Sequence, residues 1–343
     1  MKRFFLGSFL HLPRAMWVLF IIQVLLRGGD FVFPFLTLFL TRKLGLSSAQ
    51  AGVWVMANVV SGLLGTMVAG KVSEHLGRRN VLGACVAGSA LLTALCGFLP
   101  PSLLIAEVLV VAGFFQGSMK PIIAAAIMDL CPVEQRKEAF SLSYLGINLG
   151  VAIGPMAAGF LFEHHMTWMF FGNGVTFTLA LVLLLRCIPA LGQAAQVDLP
   201  ASERAVEGNA LRAFLDRPLL VAFCVIALFV SFAYAQTNFG LTLYASEVFG
   251  VRGASVFGFL MSLNAVVVLA STAILTRLTQ RLSSPAAMAL GTALYTAGFA
   301  LLVFRLSFGL LAFSTVLWTL GEVLLAINFG AYLASHTPAN LRG

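Results

Sequence analysis

Five side chains stand where a charge or a strong hydrogen-bonding group is costly to keep. Arg27 and Asp30 lie three positions apart in one apolar run, Gln116 and Lys120 lie four apart in another, and Glu322 occupies a third with no other charged residue within four positions. Spacings of three and four share a helix face. A charge near the centre of a bilayer costs at least about 2.5–3.5 kcal/mol on insertion scales, so each of these residues needs a reason. Arg27 and Asp30 can form a permanent ion pair that holds helices together. Alternatively, Asp30 is a switchable carboxylate. Burial penalises its charge and Arg27 favours it, so the balance shifts as a cavity opens and closes, and a proton competes with a cationic substrate. Glu322 reads as a proton or cation site, or as a protonated side chain bonded to a neighbouring helix. Lys120 precedes Pro121. It can meet an anionic substrate, pair with Asp30, or snorkel, although the span end is about 13 Å away. If Lys120 and Arg27 dominate the cavity, the substrate is an anion; if Asp30 and Glu322 dominate, it is a cation.

The elements that hold these residues are transmembrane helices. Of 343 residues, 60% are hydrophobic and 10% charged, with 32 Gly and 12 Pro. The mean hydropathy is +0.97. Such a chain lacks the charge to cover a soluble surface. Ten apolar runs are long enough to cross a bilayer, near 15–40, 50–70, 80–99, 103–128, 138–162, 166–187, 218–244, 254–276, 285–304 and 308–334. A helix needs about 20 residues for the crossing. The runs do not alternate and are too long for barrel strands. The expected fold is therefore an all-α polytopic membrane bundle. Met1, Lys2 and Arg3 open an apolar stretch, but Pro13 and Arg14 interrupt it and no small-residue cleavage site follows. No cleaved leader is expected.

Charge sets the expected orientation. With the N-terminus in the cytoplasm, Arg42, Lys43, Arg252 and Arg305 face outward and Arg27 and Lys120 lie within spans. The other fifteen of the 21 Lys and Arg then lie inside. This asymmetry is the positive-inside pattern, and it also accounts for the net charge of +8 without a nucleic acid partner. Residues 190–216 hold no long apolar run and read as a cytoplasmic linker. The expected division is a six-helix bundle over 1–189, the linker over 190–216, and a second bundle of four helices over 217–343. The five cysteines have no metal or redox spacing. Glu163, His164 and His165 form a short solvated turn rather than a metal cluster. No phosphate-binding Gly-x-x-x-x-Gly-Lys-Ser/Thr loop is present, so no nucleotide cofactor is expected and any energy comes from a gradient. No catalytic constellation is visible, so the chain does not read as an enzyme.

The halves repeat. Gly70 to Leu76 aligns with Thr276 to Leu282, and Pro132 and Arg136 fall on Pro338 and Arg342 in the same register. With a one-residue slip, Leu36 to Phe39 falls on Leu241 to Tyr244 and Gly45 on Gly250. Gly343 matches Lys137, after which the first half continues through two more spans. A complete repeat has twelve helices, so a second repeat lacking its last two is expected, and with it a truncated or fragmentary chain.

Six plus six helices in two parallel repeats joined by a cytoplasmic linker resembles the plan of the major facilitator superfamily. The loop from Gly70 to Arg79 resembles that family's signature, Gly-x-Leu-Ala-Asp-Arg-x-Gly-Arg-Lys/Arg. Gly70, Gly77, Arg78 and Arg79 match, Glu74 replaces the Asp, and His75 replaces the Arg. Asp129 ends the fourth span and is expected to face this loop, pairing with Arg78 or Arg79 as a gate, with Arg136 beside it. Gly146, Gly150, Gly154, Pro155 and Gly159 resemble the Gly-Pro motif of the family's antiporters. Glycines four apart let another helix approach closely, and Pro155 bends the helix. Thr319 to Glu322 resembles a stretch of proton-driven multidrug antiporters in which the Glu lies in the drug cavity. Gln116 and Gly117 match that group's fourth-span motif, but its Arg slot is Gly113, and Lys120 is expected to supply the charge.

The resemblance implies alternating access, with a proton gradient driving efflux of amphiphilic or cationic small molecules from a monomer in the plasma or inner membrane. The alternatives are transport of a specific metabolite in either direction, or a non-transporting remnant or sensor.

Overall fold

A computed structural model describes residues 9–132, 135–189, 218–279, 282–304 and 307–336. Every regular element among them is helical. The helices are α1 (Arg14–Gly28), α2 (Ser48–Leu76), α3 (Arg78–Cys96), α4 (Leu103–Leu130), α5 (Arg136–His164), α6 (Met166–Cys187), α7 (Pro218–Ala235), α8 (Gly240–Phe249), α9 (Gly253–Leu278), α10 (Ser284–Ala300) and α11 (Phe308–His336). Nine helical stretches among the described residues are long and apolar enough to cross a membrane. They hold the ten apolar runs, because Leu228–Thr272 has 45 residues. That is enough for two crossings at about 1.5 Å per residue. Gly250, at φ +57°, divides this stretch. A Cβ on Gly253 would come within 2.5 Å of the Ser246 Cα, so the chain folds back there.

Local chemistry sets the boundaries. Ser47 and Gln50 make a capping box before α2, with Gln50 N–H donating to Ser47 Oγ and Ser47 N–H donating to Gln50 Oε1. These bonds satisfy donors that the first turn leaves unpaired. Gly77, at φ +83°, joins α2 directly to α3. A left-handed residue with no Cβ penalty permits that sharp connection. Within the spans, the hydroxyls of Thr66, Thr93, Ser118, Thr176, Thr178 and Thr272 donate to the carbonyl four residues back, so these groups need no water.

The sequence expects one helix over 15–40. The helix instead stops at Gly28, and Phe31 N–H turns back to the Gly29 carbonyl. Short helical turns at Phe33–Phe35, Leu36–Leu38 and Phe39–Lys43 complete the crossing. Two successive glycines and Pro34 explain the break, since glycine weakens a helix and proline removes a donor. Asn173 of α6 compensates by accepting Val32 N–H at 3.4 Å.

Contacts divide the chain into two compact units. The first comprises residues 1–195 and 238–265, and the second 196–237 and 266–343. In the first, α1 packs on α5 and α6, α4 on α2 and α3, and α3 on α6. Met16, Leu19, Ile22 and Leu26 of α1 are buried in one apolar core with Leu82, Val86, Leu142 and Phe177. In contrast, Val53, Met56, Val59, Leu63 and Met67 on α2 are exposed, the apolar surface that a bilayer covers. In the second unit, α10 packs along α11. The linker at 190–216 and the repeat matches at Pro338 and Arg342 lie outside the described residues.

Candidate functional site

The break in the first span creates the site. It leaves Asp30 just beyond the end of α1, three residues from Arg27. Arg27 Nη1 lies 4.0 Å from Asp30 Oδ2. The Asp30 side chain is 12% exposed and that of Arg27 38%, so the carboxylate is inside and the guanidinium reaches outward. The Gln116 side chain and the Phe33 backbone also lie beside the Asp30 carboxyl. Its Oδ1 is buried with no hydrogen-bond partner among the described residues. Lys120 makes no ion pair with Asp30. Arg27 is on the same chain segment three residues away and needs no second helix to be brought in.

Gln23, Arg27, Gln116 and Lys120 line one cavity of about 30 Å³, closed by Leu26, Met119, Ile123, Ile147 and Phe177. That is room for one or two waters. The two helices, α1 and α4, present these residues one turn apart on facing surfaces, as the spacings of four expect. The charged lining is Arg27 and Lys120. Asp30 is not one of the residues that line it, but it meets two that do, Arg27 and Gln116. Sequence reasoning did not find Gln23, Ser143 or Asn173. Gln23 Nε2 donates to Ser143 Oγ at 3.0 Å, tying α1 to α5 beside the cavity. Asn173 Nδ2 is buried without a partner among the described residues. Polar residues buried in apolar runs were the available signal for all three.

The glycines of α5 face α1. A Cβ on Gly146 would lie 2.9 Å from the Phe20 carbonyl, one on Gly150 2.7 Å from Arg27 Cβ, and one on Gly154 2.7 Å from the Gly28 carbonyl. The close helix approach expected for this motif is therefore the α1–α5 contact, and it carries the Arg27 backbone. Further along, Gly159 lies against Ala254, and Gly258 of α9 against the Pro155 carbonyl.

At the opposite end of α4, Arg78 Nη1 meets Asp129 Oδ1 at 2.6 Å. Of the two partners expected for Asp129, the structure selects Arg78. Arg78 also donates to the Ala125 carbonyl, and Arg79 turns to the Leu185 carbonyl of α6. Arg136 donates to the Met128 carbonyl at 3.3 Å. These cations therefore sit on the C-terminal carbonyls of α4 and α6, where helix dipoles favour positive charge. Gly70 has open space around its Cα, and Ser73 Oγ donates to its carbonyl. Of Glu74, only its backbone place near the end of α2 is described.

Glu322 belongs to the second unit. It lies close enough to Tyr295 of α10 for its charge to be felt there. The helices meet at Gly291 and Gly321 and again at Gly298 and Trp318. Tyr295 stacks on Phe299 with ring centroids 4.9 Å apart, and Trp318 lies 5.6 Å from Phe299. Tyr295 Oη and Trp318 Nε1 are buried without hydrogen-bond partners among the described residues. No group of three or more His, Cys, Asp or Glu able to hold a metal occurs among the described residues.

The family model of the Major Facilitator Superfamily matches residues 18–343. The chain belongs to this superfamily. It is 26% identical over 320 residues to the uncharacterised MFS-type transporter YqjV of Bacillus subtilis (strain 168), covering 90% of this chain and 75% of that protein. It is 23% identical over 343 residues to a Na(+), Li(+), K(+)/H(+) antiporter of Planococcus maritimus, covering 91% and 79%. A gallate transporter of Pseudomonas putida is 29% identical over 149 residues, 43% of this chain and 33% of that protein. Among solved structures, the nucleoside transporter NupG matches with a TM-score of 0.74 at 15% identity, covering 96% of this chain and 84% of that one. These likenesses establish the MFS fold, a membrane-spanning transporter and not an enzyme. The transporters differ in what they carry.

Proposed function

We propose that this MFS protein is a proton-coupled secondary transporter of amphiphilic small molecules that carry an anionic group. One observation carries the reading: the charged wall of the cavity is Arg27 and Lys120, while Asp30, paired with Arg27, keeps one buried carboxylate oxygen unpartnered among the described residues. With Asp30 charged, Arg27 is neutralised from within the protein. A proton on Asp30 removes that counter-charge and leaves the Arg27 guanidinium free to attract another anion. Proton and anion therefore bind cooperatively. Leu26, Met119, Ile147 and Phe177 supply an apolar wall, and the cavity, which now has room for one or two waters, must widen on opening to admit an amphiphile. Alternating access moves the occupied site from one side to the other. In this reading the Arg78–Asp129 pair, with Arg136, Gly70 and Gly77, is the gate on the loop side. The molecule works as a monomer in the plasma or inner membrane with its N-terminus cytoplasmic.

A second reading has its own support. Glu322, set beside Tyr295 and one helical turn from Trp318, is chemistry for an organic cation, because aromatic faces and a carboxylate both attract positive charge. Efflux of amphiphilic cations in exchange for protons would use that cluster, and the Gly146–Gly159 motif resembles that of antiporters.

Thermal stabilisation of the purified chain separates the two readings. Aromatic and aliphatic carboxylates are compared with quaternary ammonium compounds at acidic and neutral pH. The anion reading expects carboxylates to raise the melting temperature, more at acidic pH, and Lys120→Ala to remove the effect. Stabilisation by cations alone, removed by Glu322→Gln, would replace it with the second reading.

A further inference from the structure

At the end of α5 away from the Arg78–Asp129 pair, two charged residues grip the turn between α8 and α9. Arg42 Nη2 donates to the Ser246 carbonyl at 2.6 Å and also to the Gly250 carbonyl. These oxygens close the C-terminal end of α8. Glu163 Oε1 accepts Ser255 N–H at 2.8 Å, and its Oε2 accepts Ser255 Oγ–H at 2.7 Å. Ser255 stands in the first turn of α9. A helix leaves its last carbonyls and first N–H groups unpaired, with partial negative charge at the C-terminus and partial positive charge at the N-terminus. The cation therefore sits on the negative end of one helix and the anion on the positive end of the next. Arg42 and Glu163 make no ion pair with each other.

Beneath the grip lies a buried aromatic seal. The Phe35 ring is 5.9 Å from Phe162 and 5.3 Å from Phe257, and all three side chains are buried. Lys43 Nζ sits 5.3 Å over the Phe162 ring. The same segment, Phe39–Lys43, supplies Arg42 and Lys43 and continues from the break that places Asp30. One piece of chain thus links the site to the grip.

We propose that Arg42 and Glu163 form a helix-end latch that closes this face of the transporter, each charge neutralising one helix end at the Gly250 turn. The latch rests on the transporter reading only for its role as a gate. Release of either charge loosens the Phe35–Phe162–Phe257 seal and admits water from this side.

The test is labelling rather than transport. In the full chain with its five native cysteines replaced, Ser262→Cys places a thiol two turns along α9 from Ser255, at a position that is 3% exposed. A membrane-impermeant maleimide is added without substrate. The expected result is slow labelling of the parent, and labelling accelerated about tenfold by Arg42→Ala or Glu163→Gln, within what a charge at a partly buried helix end contributes. The exchanged pair, Arg42→Glu with Glu163→Arg, should label at least as fast as the single variants, because each charge then meets a helix end of its own sign. Slow labelling of the exchanged pair would mean an ordinary Arg–Glu interaction and overturn the helix-end latch. Unchanged labelling of the single variants would overturn it as well. Glu163→Gln keeps the side-chain shape, so it decides the matter if Arg42→Ala fails to insert. A chain that labels as expected but moves no substrate would count against the transporter reading alone.

Discussion

Gly150→Ala adds one methyl group to the tightest part of the α1–α5 contact. The new carbon would stand 2.7 Å from Arg27 Cβ, 2.7 Å from Gly28 N and 2.8 Å from the Val24 carbonyl. Ordinary contact begins near 3.4 Å, so α1 and α5 must separate by about 0.7 Å at this point, and two of the three neighbours are backbone that cannot rotate away. Overpacking of this kind costs about 1–3 kcal/mol. Alanine recovers about 1 kcal/mol of helix propensity, which leaves a net destabilisation of about 0–2 kcal/mol. Gly83→Ala is the internal control. Its nearest neighbours are side-chain carbons of Leu185 and Leu181 at 3.5 and 3.6 Å, so only the propensity gain remains. The two substitutions should differ by about 1–3 kcal/mol in reversible unfolding in mixed detergent micelles. Because the clash falls on Arg27, Gly150→Ala should also weaken ligand binding while Gly83→Ala leaves it unchanged. Equal stability of the two variants would refute the packing argument.

Other consequences are local. Ser143→Ala leaves the buried Gln23 amide without its acceptor and should cost about 1–3 kcal/mol, read as a lower melting temperature. Asp129→Asn removes the charge from a 2.6 Å pair whose side chains are only 21% and 18% exposed. A loss of about 1.5–3 kcal/mol is expected in the same assay, with Asp129→Glu retaining part of it. Ser47→Ala breaks the capping box before α2 and should cost about 1 kcal/mol without changing ligand binding.

The apolar runs were legible because hydrocarbon demands about 20 apolar residues in a row, and few soluble elements supply them. The Arg27–Asp30 pair was legible because its partners lie three residues apart, and the small-residue face of α5 because glycines recurred at one helical spacing. The partner of that face was not legible, since nothing in Gly146–Gly159 names α1. Asn173 and Ser143 escaped for the same reason: their partners lie 141 and 120 residues away. The break after Gly28 was missed because apolar residues resume at Phe31 and mask the local weakness of Gly28, Gly29 and Pro34. Lys120 lines the small cavity, and Asp30 pairs with Arg27 instead, because a helix neighbour reaches the carboxylate at less entropic cost. The expected linker at 190–216 lies outside the described residues, and contacts group residues 238–265 with 1–195. Charge patterns along a sequence mark boundaries between spans, not the packing that follows.

The central claim is that protonation of Asp30 and binding of an anion at Arg27 are one coupled event. Calorimetry of carboxylate binding to the purified full chain, repeated in buffers of different ionisation enthalpy, measures the protons exchanged on binding. Between the pH values where Asp30 is charged in the free protein and protonated in the complex, the account predicts uptake of about one proton per anion bound. Asp30→Asn should still bind the anion, with no proton uptake and no pH dependence in that range. Binding without proton uptake in the parent, or the same uptake in Asp30→Asn, would contradict the account.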